Sequence, residues 1–594
     1  MEYLKSVVPS QLISERGSNL VVINPGSANI RIGLASQDAP FNIPHCIARY
    51  TNQVPKRSVQ DQMLNSQVTT AQHMERERAY DVIASLIKIP FLDEEVANNS
   101  FPRKMGRIDG HHNGKRDTVF TWTDVHERDP TSSVTVESSS SKDVSQSLDQ
   151  HVETDSKELS PSVIKYRQFI CGEDALKISP IEPYCLHRPI RRGHFNISQH
   201  YSMQQVLEDL HAIWDWILIE KLHIPLSERN LYSAILVVPE TFDNREIKDM
   251  LTMVLQDLRF GSAVVHQEGL AAVFGNGLSS ACVVNMGAQV TTIICVEDGV
   301  ALPATAKTLP FGGEDVSRCL LWTQRHHQTW PPIRTDILSK PVDLLMLNRL
   351  KEFYCEIKEG EVDAVAVVHS YEEGTPAGSH KTRLTALNVP PMGLFFPMLL
   401  VPDVYPPPPR ACDDIFRFHD HEDMLEETWH TEYSRRPDLP DNVYPGVNVN
   451  FPMWDSYPVY ATKPKKEENV GLAEAITSSI LSTGRIDLQR KLFLSIQLVG
   501  GVALTRGLVP AMEERVLHAI PCNEAIDTVE VLQSRTNPSF ASWKGGAIIG
   551  VLDFGRDAWI HREDWINSGI FVASGRKYKD SYYLQAQAMC YMNS

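Results

Sequence analysis

Two segments 261 residues apart follow one pattern: Val22-Ile23-Asn24-Pro25-Gly26-Ser27 and Val283-Val284-Asn285-Met286-Gly287-Ala288. Each is an apolar run, an Asn-x-Gly turn and a second apolar run, the first resuming at Ile30-Arg31-Ile32-Gly33-Leu34 and the second ending near Val296. An apolar run stopped by glycine and resumed at once predicts a β-hairpin. Two such hairpins opening two long halves predict a duplicated α/β domain with a cleft between the halves. Facing turns of this kind can offer backbone N–H groups to phosphate oxygens from both sides. Unrelated surface hairpins would carry the same residues, so the other glycines matter. Leu498-Val499-Gly500-Gly501 ends a further strand, with Gly507 close behind, and a double glycine there permits close backbone approach to a flat ligand such as a nucleoside. Ser542-Trp543-Lys544-Gly545-Gly546-Ala547 reads as another glycine pair, entering a helix.

A chain of 594 residues is too long for one core, which agrees with two large domains. The net charge of −17 excludes a uniformly basic nucleic-acid binder, so any DNA contact needs a local patch. The ten cysteines are scattered singly without a CxxC pair, which reads as reduced core thiols rather than a zinc site. Met1 to Gly17 has no basic start followed by an apolar run, and Met392 to Val401 is half a membrane span, so no membrane partner is expected.

Along the chain, residues 75–88 read as a helix with Val82, Ile83, Leu86 and Ile87 on one face. The stretch Pro130 to Ser162 holds eleven serines and no aromatic residue, and reads as disordered. Residues 203–221 form an amphipathic helix through Val206, Leu210, Ile213 and Ile217. Ser233 to Val238 is a buried strand, and Asp243 opens a helix carrying Ile247, Met250, Leu251 and Val254. From Pro402 to Lys466 a proline-rich, acidic insertion intervenes, after which Leu472 to Leu481 reads as helix and Leu494 to Val499 as strand.

At these residues the chain resembles the actin family. Asn24-Pro25-Gly26-Ser27 with Gln37-Asp38-Ala39-Pro40 is similar to its first phosphate loop, and Val283 to Thr291 to its second. Cys171 to Ala175, Gly299 to Pro303, Leu350-Lys351-Glu352, Val499 to Gly507, Trp543 to Ala547 and Trp559 to Gly569 resemble further family segments, in order. The insertions, with Val264 to Glu268 and Phe311 to Cys319, resemble the actin-related protein 8 class, numbered 9 in plants. The resemblance implies the duplicated actin-like ATPase fold shared with Hsp70 and sugar kinases, carrying two long insertions. It implies a first half at 1–262 interrupted at about 95–165, a second at 263–540 interrupted at about 402–466, and a C-terminal segment, 541–594, packing back on the first half.

For the cleft, the resemblance implies nucleotide contacts from Asn24, Gly26, Ser27, Arg31, Asn285, Gly287, Lys351, Glu352, Gly500 and Gly501, with ATP as a structural ligand. Hydrolytic members carry aspartate at the positions of Asn24, Asn285 and Ala288, where carboxylates orient the magnesium water shell. An amide keeps only a dipole there, and alanine keeps nothing. The histidine that orders the attacking water is replaced by Thr292, and the water-positioning glutamine aligns with Gln267 or Glu268. Phosphoryl transfer depends on positioning and charge neutralisation. Little turnover is therefore expected, no catalytic residue is assigned, and magnesium is left undecided. Arg31 keeps the positive charge of a family lysine in a planar fork.

Two basic clusters, Arg103, Lys104, Arg107, Lys115 and Arg116, then Arg188, Arg191 and Arg192, are candidates for phosphate-backbone contact with nucleosomal DNA. Taken alone, either is explained more simply as solvated surface. The first also resembles a bipartite nuclear signal with a weak second half, and Lys463-Pro464-Lys465-Lys466 is another candidate. The acidic stretch Asp413 to Glu432 could face histone tails, although a solvated loop explains it more simply. His419-Asp420-His421 sets no coordination geometry, so no metal site is expected. The class resemblance implies a nuclear, non-filamentous subunit of the INO-eighty chromatin remodeller. Its partners would be nuclear actin and another actin-related protein, on the helicase-SANT-associated helix of a Snf2-type motor. The competing expectation is a working ATPase or kinase-like enzyme, since one scaffold hosts both.

Overall fold

The computed structural model describes residues 15–52, 68–88, 122–126, 166–198, 200–337, 340–371, 378–402, 470–521, 526–552 and 559–568. The expectations for Pro130 to Ser162, the insertion after Pro402, the cluster Arg103, Lys104, Arg107, Lys115 and Arg116, and the two lysine-rich signals fall outside these residues.

Leu20–Pro25 (β1) is buried beyond its first residue, and Asn29–Leu34 (β2) returns antiparallel with Asn24 opposite Arg31. Phe41–Pro44 (β3) extends the sheet beyond β2. Ser233–Val238 (β4) and Ser262–Gln267 (β5) join in parallel on the other side of β1. Both are buried almost throughout, as parallel strands covered on two faces must be, β4 through a continuous apolar run and β5 through Ala263, Val264 and Val265 with His266 and Gln267 also buried. The second sheet holds Ala281–Met286 (β6), Thr291–Glu297 (β7), Val300–Leu309 (β8), Ile496–Val499 (β9) and Val531–Leu532 (β10). Its order, β8-β7-β6-β9-β10, repeats β3-β2-β1-β4-β5 with the same strand directions. The duplication expected from two turns therefore extends to the whole sheet. Ile560–His561 (β11) pairs antiparallel with β5 at the edge of the first sheet. Because β5 belongs to that sheet, the first half runs past residue 262 to Gln267.

Thr70–Leu86 (α1) is longer than the periodicity suggested, because Thr69 and Gln72 form a reciprocal capping box at its start. Its buried stripe is Tyr80, Ile83, Ala84 and Ile87, whereas Val82 and Leu86 are 47% and 39% exposed. That i, i+3, i+4, i+7 spacing is one helix face; the expected set spans too wide an arc. The stripe sits in the core of the second half, with Val316, Cys319, Phe395, Met398 and Leu399. Tyr80 shares a 2.7 Å hydrogen bond with His327, and Arg76 lies 4.2 Å over the Trp322 ring. Chain from the first half thus straps the second. Ile83→Ala should cost about 2 kcal/mol and speed amide exchange throughout α1, as urea unfolding and exchange mass spectrometry would measure.

Met203–Glu220 (α2) buries Val206, Leu210, Ile213 and Ile217 as expected, behind a Ser202–Gln205 capping box. Glu268–Gly275 (α3) follows β5 but lays Leu270, Ala272 and Val273 against Ala281, Val283 and Ile294 of the second sheet. Gly313–His326 (α4) and Pro341–Tyr354 (α5) share an outer core through Leu321, Met346 and Leu347. Ala541–Leu552 (α6) makes the opposite crossing: it follows β10 and packs Trp543, Ala547 and Ile549 on Val22, Ile235 and Val237 of the first sheet. Trp543 Nε1 donates to the Val22 carbonyl at 3.1 Å. Gly545 and Gly546 stand inside this helix rather than ahead of it. Each half lends one helix to the other, and the two crossing helices join the halves beneath the cleft. No helix among the described residues is long and apolar enough to cross a membrane.

Candidate nucleotide cleft

The two hairpin turns match in detail. Gly26 N–H donates to the Asn29 carbonyl at 3.0 Å, and Gly287 N–H donates to the Val290 carbonyl at 2.9 Å. A Cβ would lie 2.7 Å from the Asn29 oxygen in the first turn and 2.9 Å from the Val290 oxygen in the second. Ser27 Oγ accepts from Gly193 N–H at 3.4 Å. Gly500 follows β9 at φ +89°, and a Cβ there would meet the Met286 carbonyl at 2.3 Å. Gly501 beside it faces open space. Lys351, from α5, donates to the Gly313 carbonyl at 2.8 Å, and Gly313 N–H donates to the Gly287 carbonyl at 3.0 Å. Burial lowers the Lys351 pKa. Of the residues expected at the nucleotide, Gly26, Ser27, Gly287, Gly500 and Lys351 thus lie at or beside the two turns, with Gly501 next in the chain; Glu352, next on α5, is exposed.

Between the turns stands Glu268, the first residue of α3. One carboxylate oxygen accepts from Asn24 Nδ2 and the other from Asn285 Nδ2 at 2.6 Å. Asn24 also donates to the Val237 carbonyl at 2.8 Å, while Arg31 Nη1 donates to Asn24 Oδ1 at 3.4 Å. A second acid, Glu240, accepts from Gly269 N–H at 2.6 Å and from Thr292 Oγ1 at 3.0 Å. Burial, then the charge of Glu240, pushes Glu268 up to about 7 against the pull of Asn24, Arg31 and Asn285. Burial likewise raises Glu240 and lowers Arg31.

The open alignment of Gln267 and Glu268 is resolved by this geometry. Glu268 reaches the turns, whereas Gln267 Oε1 is buried without a partner. Relative to the hydrolytic pattern of two aspartates and a glutamine, amide and acid have changed places. The asparagines are donors that satisfy a carboxylate, a role aspartate cannot fill when ionised. Sequence reading treated the asparagines as losses; their complementarity to an acid at position 268 was the signal it missed.

The residues fit a nucleotide: two matched glycine turns, Gly500 packed against the second of them, Gly501 open beside it, and Lys351 tied to Gly313 next to that turn. They do not fit a divalent cation held by the protein. Both cleft carboxylates are committed to N–H and O–H donors, and no group of three metal-binding side chains occurs among the described residues.

The second basic cluster does not stand free for DNA. Arg188 Nη1 lies 2.9 Å from Glu314, and Arg192 makes a two-pronged contact with Asp315 at 2.7 and 2.8 Å. Both guanidinium groups answer buried carboxylates across the cleft, and Arg191 lies on the same ribbon, half-buried. Burial opposes charge on Glu314, but Arg188, Gln289 and Arg318 overcome it and hold its pKa at about 2.

A family model described as Actin matches residues 16–334 and 424–577. The chain belongs to the actin family. It is 62% identical to "Actin-related protein 9" of Arabidopsis thaliana, over 100% of this chain and 98% of that one. It is 28% identical to "Actin-related protein 8" of Salmo salar, over 93% and 90%. Among solved structures it is similar to "Human actin-related protein Arp8 in its ATP-bound state", with a TM-score of 0.66 and 25% identity over 95% of this chain and 97% of that one. Within the actin family it falls in the class of actin-related protein 8 and its plant members numbered 9.

Proposed function

We propose that this actin-family chain is a nuclear, non-filamentous assembly subunit whose cleft holds ATP as a structural ligand and turns it over little or not at all. The carrying observation is the Asn24–Glu268–Asn285 unit. It spends the side chains that would order a hydrated cation on each other, and so removes charge neutralisation from phosphoryl transfer. Nucleotide binding is supported by the paired turns and by the similar human protein, whose solved structure is of an ATP-bound state. The class resemblance supplies the partners: nuclear actin, another actin-related protein and the helicase-SANT-associated helix of a Snf2-type motor, with nucleosomal DNA or histones as further contacts. The insertions at about 95–165 and 402–466 work against head-to-tail stacking.

A second reading, a working ATPase, draws on Glu268 alone: a buried acid poised near neutrality suits a general base. Phosphate release with magnesium and ATP separates the two. The proposal expects turnover near background together with saturable binding of a fluorescent ATP analogue. Brisk release that Glu268→Gln abolishes would install the enzyme instead. Pull-down from nuclear extract should recover a Snf2-type motor with actin; recovery of cytoskeletal proteins alone would sink the assembly reading.

A further inference from the structure

The ribbon Ile190–Arg191 and His194–Phe195 turns through Arg192 and Gly193, at φ +49° and +82°. Two consecutive positive φ values are those of a tight hairpin turn that favours Asn-Gly. Arginine is a costly choice at the first position, so its side chain is the reason to keep it. That side chain leaves the first half. Arg192 Nη1 donates to the Gln289 carbonyl at 2.7 Å and the Pro310 carbonyl at 2.9 Å, besides the contact with Asp315. Its backbone N–H donates to Gln289 Oε1 at 3.0 Å, and Gln289 Nε2 donates to Glu314 at 2.8 Å. Glu314 is the residue that Arg188 reaches. Arg192 therefore grips the second phosphate turn and the start of α4, and Arg188 the start of α4.

The other side of the ribbon is anchored in the first half. Thr241 Oγ1 donates to the Gly193 carbonyl at 2.6 Å, Phe195 N–H donates to Glu246 at 2.7 Å, and Gly193 N–H reaches Ser27 Oγ of the first turn. One short ribbon thus touches both phosphate turns while spanning the mouth of the cleft. Arg192 and Asp315 are 13% and 0% exposed, so separating the halves strands charges in a poorly hydrated place.

We infer that this ribbon is a latch: Arg188 and Arg192 hold the two halves closed over the phosphate turns and set the rate at which a bound nucleotide leaves. The release rate rests on the nucleotide reading above; the closure does not. Arg192→Asn suits the turn and removes only the guanidinium. In the full-length protein it should lower the melting temperature, because Asp315 stays buried without this partner, and speed release of a fluorescent ATP analogue about tenfold, because losing one partner of a buried charge pair acts on dissociation. In nucleotide-free protein it should raise amide exchange at residues 287–290 and 312–316. Arg188→Glu should act in the same direction, and adding Glu314→Arg should restore slow exchange. If wild-type protein binds no analogue, the nucleotide reading fails while exchange in the empty protein still decides the latch. Unchanged exchange in both Arg192→Asn and Arg188→Glu overturns it, as does faster release without faster exchange.

Discussion

Asn285→Asp should destabilise the protein by about 3 kcal/mol at pH 8 and by much less at pH 5.5, and adding Glu268→Gln should recover most of the loss. Asn285 donates to the Glu268 carboxylate at 2.6 Å, inside a site that also holds Glu240. An ionised aspartate offers no donor and brings a third negative charge beside Arg31, a cation that opposes the rise of Glu268. The sign with pH follows from Glu268 itself. Its folded pKa, about 7, lies above the ordinary 4.5, so the folded chain holds a proton that the unfolded chain has lost between those values. The stabilisation is complete below about pH 4.5 and disappears as pH rises through 7, a change on the order of 3 kcal/mol. At pH 5.5 a protonated Glu268 can donate to Asp at 285 and replace the missing bond. At pH 8 it cannot. Glu268→Gln alone should therefore gain on the wild type as pH climbs from 5 to 8. Urea unfolding at both pH values tests this, and an equal penalty at each would refute the amide–acid unit. Should Asn24→Asp and Asn285→Asp be tolerated together only with Glu268→Gln, the hydrolytic arrangement and this one are alternative solutions of one charge problem.

The fold was legible because its turns are written in short, local code. Asn24 to Ser27 and Asn285 to Ala288 are hairpin signals by residue type alone, and the sheets they open repeat one order. α2 was legible because its apolar stripe faces one neighbour. The face of α1 was harder to read. Tyr80 is drawn inward by Trp322 and His327, more than 240 residues away in sequence, and no local period reports that. Separations of 126 and 123 residues hid the fate of Arg188 and Arg192 in the same way. A run of arginines signals charge but not where its partners lie, and here they are Glu314 and Asp315 on the opposite half. In the cleft, residue types pointed to the two turns, whereas the roles of Asn24 and Asn285 required seeing that one carboxylate joins both.

Gly545→Ala should be the most damaging single methyl in the described chain, costing about 4 kcal/mol or preventing folding outright. A Cβ at Gly545 would lie 1.6 Å from the Ala271 carbonyl oxygen and 2.9 Å from Gly275 N. Across the same crossing, a Cβ at Gly275 would lie 2.2 Å from the Ala541 carbonyl oxygen. Two glycines thus let the backbones of α3 and α6 touch. Neither obstacle is the end of a flexible side chain, so relief requires moving a whole helix. Moving α6 withdraws Trp543 from Val22 and Ile549 from the first sheet, and moving α3 carries Glu268 away from both asparagines. The joint between the halves and the chemistry of the cleft therefore share one tolerance, set by two absent side chains. Gly501→Ala is the matched control: nothing lies within 4 Å of a Cβ there, so its stability should stay within about 1 kcal/mol of the wild type. Chemical unfolding of the two variants side by side gives the comparison. Equal stability would mean that α3 and α6 are free to slide, and that the halves are joined by something other than this crossing.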